Sequence, residues 1–205
     1  MDFRITVPWG WWELPVTSEH LHDDIAVIVD ARLTRSPGLL SQRDDIVALL
    51  EGAAAEARVA GGIYCAQVGI VEEDDARFAT SLVVALRPLP GLTIGHEAEQ
   101  LDWLVRALPA PDGVRQSEVW VKPVTIGRLG TGVRRRARRE IPGGFDVVNV
   151  SYYFPVRGTA HTAIINATSP NCDEADELVE LLDDIVATIV VTPAARRLQR
   201  TEGRP

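Results

Sequence analysis

Between Arg128 and Arg139 the chain carries six arginines and no acid, in the run GRLGTGVRRRARR. A guanidinium presents a planar fork of donors that matches a carboxylate or a phosphate, so the run points to recognition of an acidic group. Strand alternation sets Arg134, Arg136 and Arg138 on one face. Arg135 and Arg139 then share the other face with Val133 and Ala137. The plainer reading is a charged strand that stays solvated or pairs with acids of its own molecule. The glycines mimic a phosphate loop only loosely, because no Lys-Ser/Thr follows Gly132.

Tryptophan is the second signal. Trp9, Trp11 and Trp12 stand within four positions beside Gly10. Indoles are enriched at binding hot spots, which makes them candidates for partner contact. They also make good lids over a core. Alternation sends Trp9 and Trp11 one way and Trp12 the other.

The remaining reactive groups do not converge. Asp173, Glu174, Asp176, Glu177, Glu180, Asp183 and Asp184 crowd one helix, where the first acids suit its positive N-terminus. His20 and His22 are two apart and point to different helix faces, and His96 and His161 are isolated. Cys172 sits at a helix start among acids, and Cys65 lies in a strand without a pattern partner. No metal-ligand spacing and no nucleophile motif is present, so no catalytic residue, metal or cofactor is expected.

These residues need elements to hold them. A short strand over Phe3–Val7 and a turn at Pro8-Trp9-Gly10 lead to a helix bearing Leu21, Ile25, Ile28 and Val29, capped by Thr17 or Ser18. A second helix starts near Asp44 and stops at Gly61-Gly62. A hairpin follows, with Tyr64, Ala66, Val68 and Ile70 answered by Phe78, Leu82, Val84 and Leu86 across the turn Glu72–Asp75. A third helix carries Ala98, Leu101, Leu104, Val105 and Leu108, and Pro109–Gly113 closes it. Strand, glycine turn and strand then span Val114–Glu140. Val148, Val150, Tyr152, Phe154 and Val156 give the next strand an apolar face. The last helix repeats Ala175, Leu178, Val179, Leu182, Ile185, Val186 and Ile189, with Asn171 or Ser169 as its cap. Short turns between strands imply antiparallel pairing. The expected fold is a single α/β (α+β) sandwich over residues 1–192, a mostly antiparallel sheet covered by helices. A flexible arginine-rich tail is expected over 193–205.

Composition narrows the function. The chain has 205 residues and a net charge of −8, which repels a nucleic-acid backbone. Lys122 is its one lysine. Two cysteines suit a reducing, cytoplasmic compartment. The start lacks a signal-peptide pattern, and no apolar run approaches the roughly 18 residues of a membrane helix, so neither nucleic acid nor membrane is an expected partner.

Taken in order, GWWELPV, the Tyr64–Val71 and Phe78–Leu86 hairpin, VTIGRLGTGVRRRARR and VVNVSYYFPVRGTAHTAIINATSPN with its terminal helix resemble an uncharacterised actinobacterial family. That family is similar to the LpqN-type and PsbP-like α/β sandwich group, which includes the Ran-binding Mog protein. The resemblance implies a PsbP-like fold and an accessory or binding role rather than catalysis. The lipobox cysteine of LpqN-type lipoproteins is absent, so their anchoring is not carried over. The leading expectation is a non-enzymatic adaptor that binds another protein through Arg134, Arg136, Arg138, Trp9, Trp11 and Trp12. The alternative is a small-molecule carrier with a ligand between sheet and helices, lined by Trp120, Tyr152 and Tyr153.

Overall fold

Alternation in Phe145–Pro155 is the organising pattern of the molecule. In the computed structural model, which describes residues 2–72, 75–88, 97–108, 116–141 and 145–192, Val148, Val150, Tyr152 and Phe154 all enter one core. The elements run β1 (Asp2–Arg4), β2 (Trp12–Leu14), α1 (Leu21–Leu33), α2 (Arg43–Val59), β3 (Gly62–Glu72), β4 (Asp75–Pro88), α3 (Glu97–Ala107), β5 (Gln116–Ile126), β6 (Gly130–Ile141), β7 (Phe145–Pro155), β8 (His161–Ser169), α4 (Ala175–Ala187) and β9 (Val190–Thr192). Seven strands form an antiparallel sheet in the order β2-β3-β4-β8-β7-β6-β5, and β1 pairs with β9 as a separate ribbon.

Helices cover both faces. On one face α4 buries Leu178, Val179, Leu182, Ile185 and Val186 against Leu82, Val84, Ile165, Val150, Tyr152 and Phe154. Each such side chain contributes about 1.5–3 kcal/mol by leaving water. Phe3, Ile5 and Val7 extend this layer from the ribbon. Thr188 fastens the chain there, its hydroxyl accepting the Thr6 N–H at 2.9 Å. On the other face α1 and α2 pack Ile25, Val29, Leu33, Ile46, Val47 and Leu50 onto Trp12, Leu14 and Cys65. Further along that face α3 lies over β5, β6 and β7 and buries Leu104.

Several expectations shift locally. The first strand ends at Arg4, and Trp12–Leu14 forms an edge strand that the sequence did not announce. Neither expected cap bonds a helix in the usual way. His20 occupies the N-cap of α1. Ser18 Oγ accepts the His20 N–H at 2.9 Å and donates to Asp24 at 2.6 Å. Asn171 begins a short 3₁₀ turn before α4, and its N–H reaches Ser169 Oγ at 3.2 Å. The Pro109–Gly113 segment, Glu73 and Asp74 of the expected Glu72–Asp75 turn, and the 193–205 tail lie outside the described residues.

One glycine is dictated by close approach. A Cβ on Gly132 would fall 2.6 Å from the Tyr153 carbonyl oxygen and into the Phe154 ring. Gly132→Ala should therefore cost about 1–3 kcal/mol in denaturant unfolding. Gly52→Ala on exposed α2, where the added methyl meets nothing within 4 Å, should instead stabilise by about 0.5–1 kcal/mol. Equal effects from the two would contradict this packing.

Candidate binding surfaces

The arginine strand turns its even-numbered side chains toward α4. Arg134 is 8% exposed. Its Nη1 donates to Asp183 Oδ2 at 2.5 Å, and the buried Tyr152 hydroxyl donates to Asp183 Oδ1 at 2.7 Å. Burial alone would lower the Arg134 pKa, but Asp183 and Tyr152 outweigh it and hold the guanidinium charged. Burial and then Asp183 push the Tyr152 phenol far above its usual range. Arg136 Nη1 donates to Asp176 Oδ1 at 2.5 Å. Arg138 donates to Asp146 Oδ2 through Nε and Nη2, at 2.9 and 2.7 Å. Trp120 faces this row, with the Arg134 and Arg136 guanidiniums each 5.4 Å from its ring centroid. On the opposite face Arg135 holds the Leu108 carbonyl at 3.0 Å and the Gln116 side chain.

This arrangement corrects the picture of an open basic stripe. Alternation holds, but Arg134, Arg136 and Arg138 meet acids of the same molecule, three of them contributed by α4 and β7. Charge reversal at Arg134 would set two carboxylates against each other, so it tests folding rather than partner capture.

The tryptophans also divide. Trp11 is 4% exposed and belongs to the α4-side core, whereas Trp12, at 9%, belongs to the α1–α2 core. Trp9 alone of the three projects, 95% exposed. Its turn is held from behind. Arg32 of α1 donates to the Gly10 carbonyl at 2.8 Å and to the Trp11 carbonyl, and its guanidinium lies 4.3 Å from the Trp12 ring centroid. Gly10 takes φ +100, which permits the sharp reversal.

The thiols and imidazoles stay apart. Burial pushes the Cys65 thiol up to about 12. Burial first, then Asp146, Asp173 and Glu118, raise Cys172, with Arg138 opposing them. Neither is primed as a thiolate. His96 lies outside the described residues, and no group of three His, Cys, Asp or Glu side chains among those described is placed to hold a metal ion. His22 Nδ1 lies 2.9 Å from Glu51 Oε2, and the bond to Glu51 raises its pKa above 6.5.

A polar row missed by the sequence reading crosses the other face between the two helical packs. Gln67, Ser81, Thr168 and Asn149 share one register level on β3, β4, β8 and β7. Asn166 and Ser151 sit at the next level. Asn149 Nδ2 donates to Asn166 Oδ1 at 2.9 Å and to Thr168 Oγ1 at 3.1 Å, and Ser151 Oγ donates to Asn166 Oδ1 at 2.7 Å. With those acceptors occupied, the Asn166 amide and Thr168 hydroxyl are left to donate outward. Gln67 is 7% exposed, and its Oε1 has no partner among the described residues. An unmade bond of that kind costs about 1–3 kcal/mol. The missed signal was the pairing of amides and hydroxyls on adjacent strands at matching register.

With the geometry established, solved structures can be compared. LpqN of Mycobacterium tuberculosis, described as involved in cell envelope biogenesis, superposes with a TM-score of 0.52 at 14% identity, over 93% of this chain and 83% of LpqN. The chain has the fold of LpqN. CyanoP, the PsbP of Synechocystis, gives 0.45 at 13% identity over 93% and 86% of the two chains. The Saccharomyces cerevisiae Ran-binding protein Mog1p gives 0.41 at 14% over 62% and 78%. The α/β sandwich read from the sequence, a mostly antiparallel sheet covered by helices, is borne out as a fold. No protein-family model matches the chain, and no curated protein matches it significantly.

Two outcomes check these sites. Asp183→Asn leaves the buried Arg134 without its anion and should cost about 1.5–3 kcal/mol in equilibrium unfolding; an unchanged midpoint would show the pair to be idle. The raised His22 pKa gives stability that is full below pH 6.5 and fades as pH rises through the folded value. Glu51→Gln should return the His22 titration, followed by NMR, toward 6.5.

Proposed function

We propose that the chain is a non-enzymatic accessory domain that binds another protein, with Trp9 as its anchor. The observation that carries this reading is an indole 95% exposed on a turn braced by Arg32. A large side chain held out in advance loses little conformational freedom when a partner covers it. Binding energy at interfaces concentrates in such residues.

The sheet edges support docking by loops and helices rather than by strand addition. The outer strand β5 carries Lys122 and Pro123 in mid-strand and a bulge at Ser117–Trp120, with Glu118 at φ +52. The other edge, β2, is three residues long. Charge, proline, bulging and shortness are the devices that keep edges from pairing with foreign strands. A reducing, cytoplasmic setting is part of the same reading, supported by two free thiols. No helix among the described residues is long and apolar enough to cross a membrane.

A small-molecule carrier is the second reading, favoured by the outward donors of Asn166 and Thr168. It moves the ligand to the polar face. The lining first expected does not assemble, because Tyr152 and Tyr153 are consecutive in β7 and face opposite sides. Tyr152 is fully buried beside Phe154, their centroids 6.4 Å apart.

Trp9→Ala should leave the unfolding free energy within about 0.5 kcal/mol of the parent. It should also weaken capture of the native partner by at least about thirtyfold, the loss typical of a hot spot. Quantitative affinity purification from the native host, parent against variant, makes the measurement. An undiminished partner set after the substitution would refute the Trp9 anchor.

A further inference from the structure

A cup of about 120 Å³ opens at one end of the sandwich, with Arg128 and Arg157 in its walls. Its floor is apolar, because Leu129, Val156 and Val191 line it and also pack into the α4-side core. The cup is thus a place where that core reaches the surface. Both arginines are exposed, and both sit on closely packed backbone. Arg128 belongs to the 3₁₀ turn Gly127–Leu129, so near α4 that a Cβ on Gly127 would fall 2.6 Å from the Ala187 carbonyl oxygen. Arg157 reaches back over β6, its Nη2 3.3 Å from where a Cβ on Gly130 would stand.

Neither guanidinium has an ion pair or hydrogen bond among the described residues. Most described arginines elsewhere are engaged. Arg43, Arg106, Arg134, Arg136 and Arg138 each hold a carboxylate. Arg32, Arg58, Arg87 and Arg135 hold backbone carbonyls. With 29 acidic residues against 21 basic ones, acids are not scarce in this chain, yet none answers Arg128 or Arg157. Arg4 adds a third free cation. It stands opposite Val190 of the cup in the β1–β9 register, so its side chain shares that face, exposed and likewise unpaired. Past Thr192 the chain continues with Arg196, Arg197, Arg200 and Arg204 against Glu202 alone. That segment has the wrong sign to fill the cup itself.

Unpaired guanidiniums around an apolar floor suit an anion that carries an apolar part. At about 120 Å³ the cup is well below the roughly 300 Å³ at which small-molecule pockets begin. It is of a size for one aliphatic side chain. An extended anionic surface would face the −8 of the whole chain as well as this basic end. A short acidic segment meets the basic end alone, because charges beyond about 8 Å are largely screened. We infer that the cup receives an acidic segment of a partner polypeptide, one aliphatic side chain resting on Leu129, Val156 and Val191 and flanking carboxylates on Arg128 and Arg157. Guanidinium forks take carboxylates through paired hydrogen bonds. The inference rests on the reading that the chain binds protein, but not on Trp9.

The test titrates the full chain with acetylated, amidated Glu-Leu-Glu at low salt. Gln-Leu-Gln removes the charges, and Glu-Ser-Glu removes the apolar side chain. NMR follows the Val156 and Val190 methyls and the Arg128 and Arg157 Nε–H signals. Glu-Leu-Glu should shift them, and each control should bind at least about tenfold more weakly. Since both arginines are exposed and unpaired, Arg128→Gln combined with Arg157→Gln should leave Tm unchanged and weaken Glu-Leu-Glu binding by about tenfold. Equal binding of the three peptides, full binding by the double variant, or no shift at millimolar Glu-Leu-Glu overturns the inference. Inorganic phosphate moving the same signals at equal affinity would mark a general anion site. Phosphatidylcholine–phosphatidylserine vesicles that retain the parent but not the double variant would assign the arginines to a lipid surface. Either result overturns the polypeptide version. Trp9→Ala should leave peptide binding intact, so failure here defeats the cup alone, and partner capture decides the Trp9 reading separately.

Discussion

Asp183 accepts two hydrogen bonds at once, one from the Tyr152 hydroxyl and one from the Arg134 guanidinium. The organisation of the α4 face follows from that junction. Tyr152 is buried in the sheet, and without Asp183 its hydroxyl would keep only a long 3.5 Å bond to the Val179 carbonyl. Arg134 would bury a charge. With Asp183 in place, α4 settles at one depth and one rotation, and its apolar stripe meets Val150, Tyr152 and Phe154 in register. The hydrophobic contacts supply most of the free energy, and the polar junction selects which of many greasy arrangements is adopted.

The same logic explains why the arginine-rich strand and the acid-rich helix occur together. Each looks costly in isolation, five arginines on β6 and five acids on α4. Placed across from each other, Arg134 meets Asp183 and Arg136 meets Asp176. Trp120 covers the guanidinium planes and limits water access to the row. The strand is thus an internal counterpart to the helix as well as a surface feature.

Much of the fold was legible in the chain because its signals are local. The period-two pattern of Val148 to Val156 and the three- and four-residue steps of Leu178 to Val186 report directly on burial. The split of Trp11 from Trp12 followed from alternation alone. Contacts distant in sequence were harder to see. The pairing of Arg134 with Asp183 spans 49 residues, and the sequence offered solvent, self-pairing and an acidic partner without naming which acid each arginine would meet. The row of Gln67, Asn149, Asn166 and Thr168 was invisible for a related reason. Each residue looks like an ordinary outward polar position on its own strand. Only the strand order β3-β4-β8-β7 places them side by side.

The placement of Trp11 and Trp12 in different cores has a consequence for how the molecule comes apart. Two neighbouring residues are joined by a single planar peptide, so neither indole can leave its layer without dragging on the other. The α1–α2 layer and the α4 layer are coupled through that link as well as through the shared sheet. Loosening on one side is felt mechanically on the other. The pair is also a built-in optical gauge, two adjacent fluorophores each reporting a separate interior, while Trp9 a few bonds away reads only the solvent.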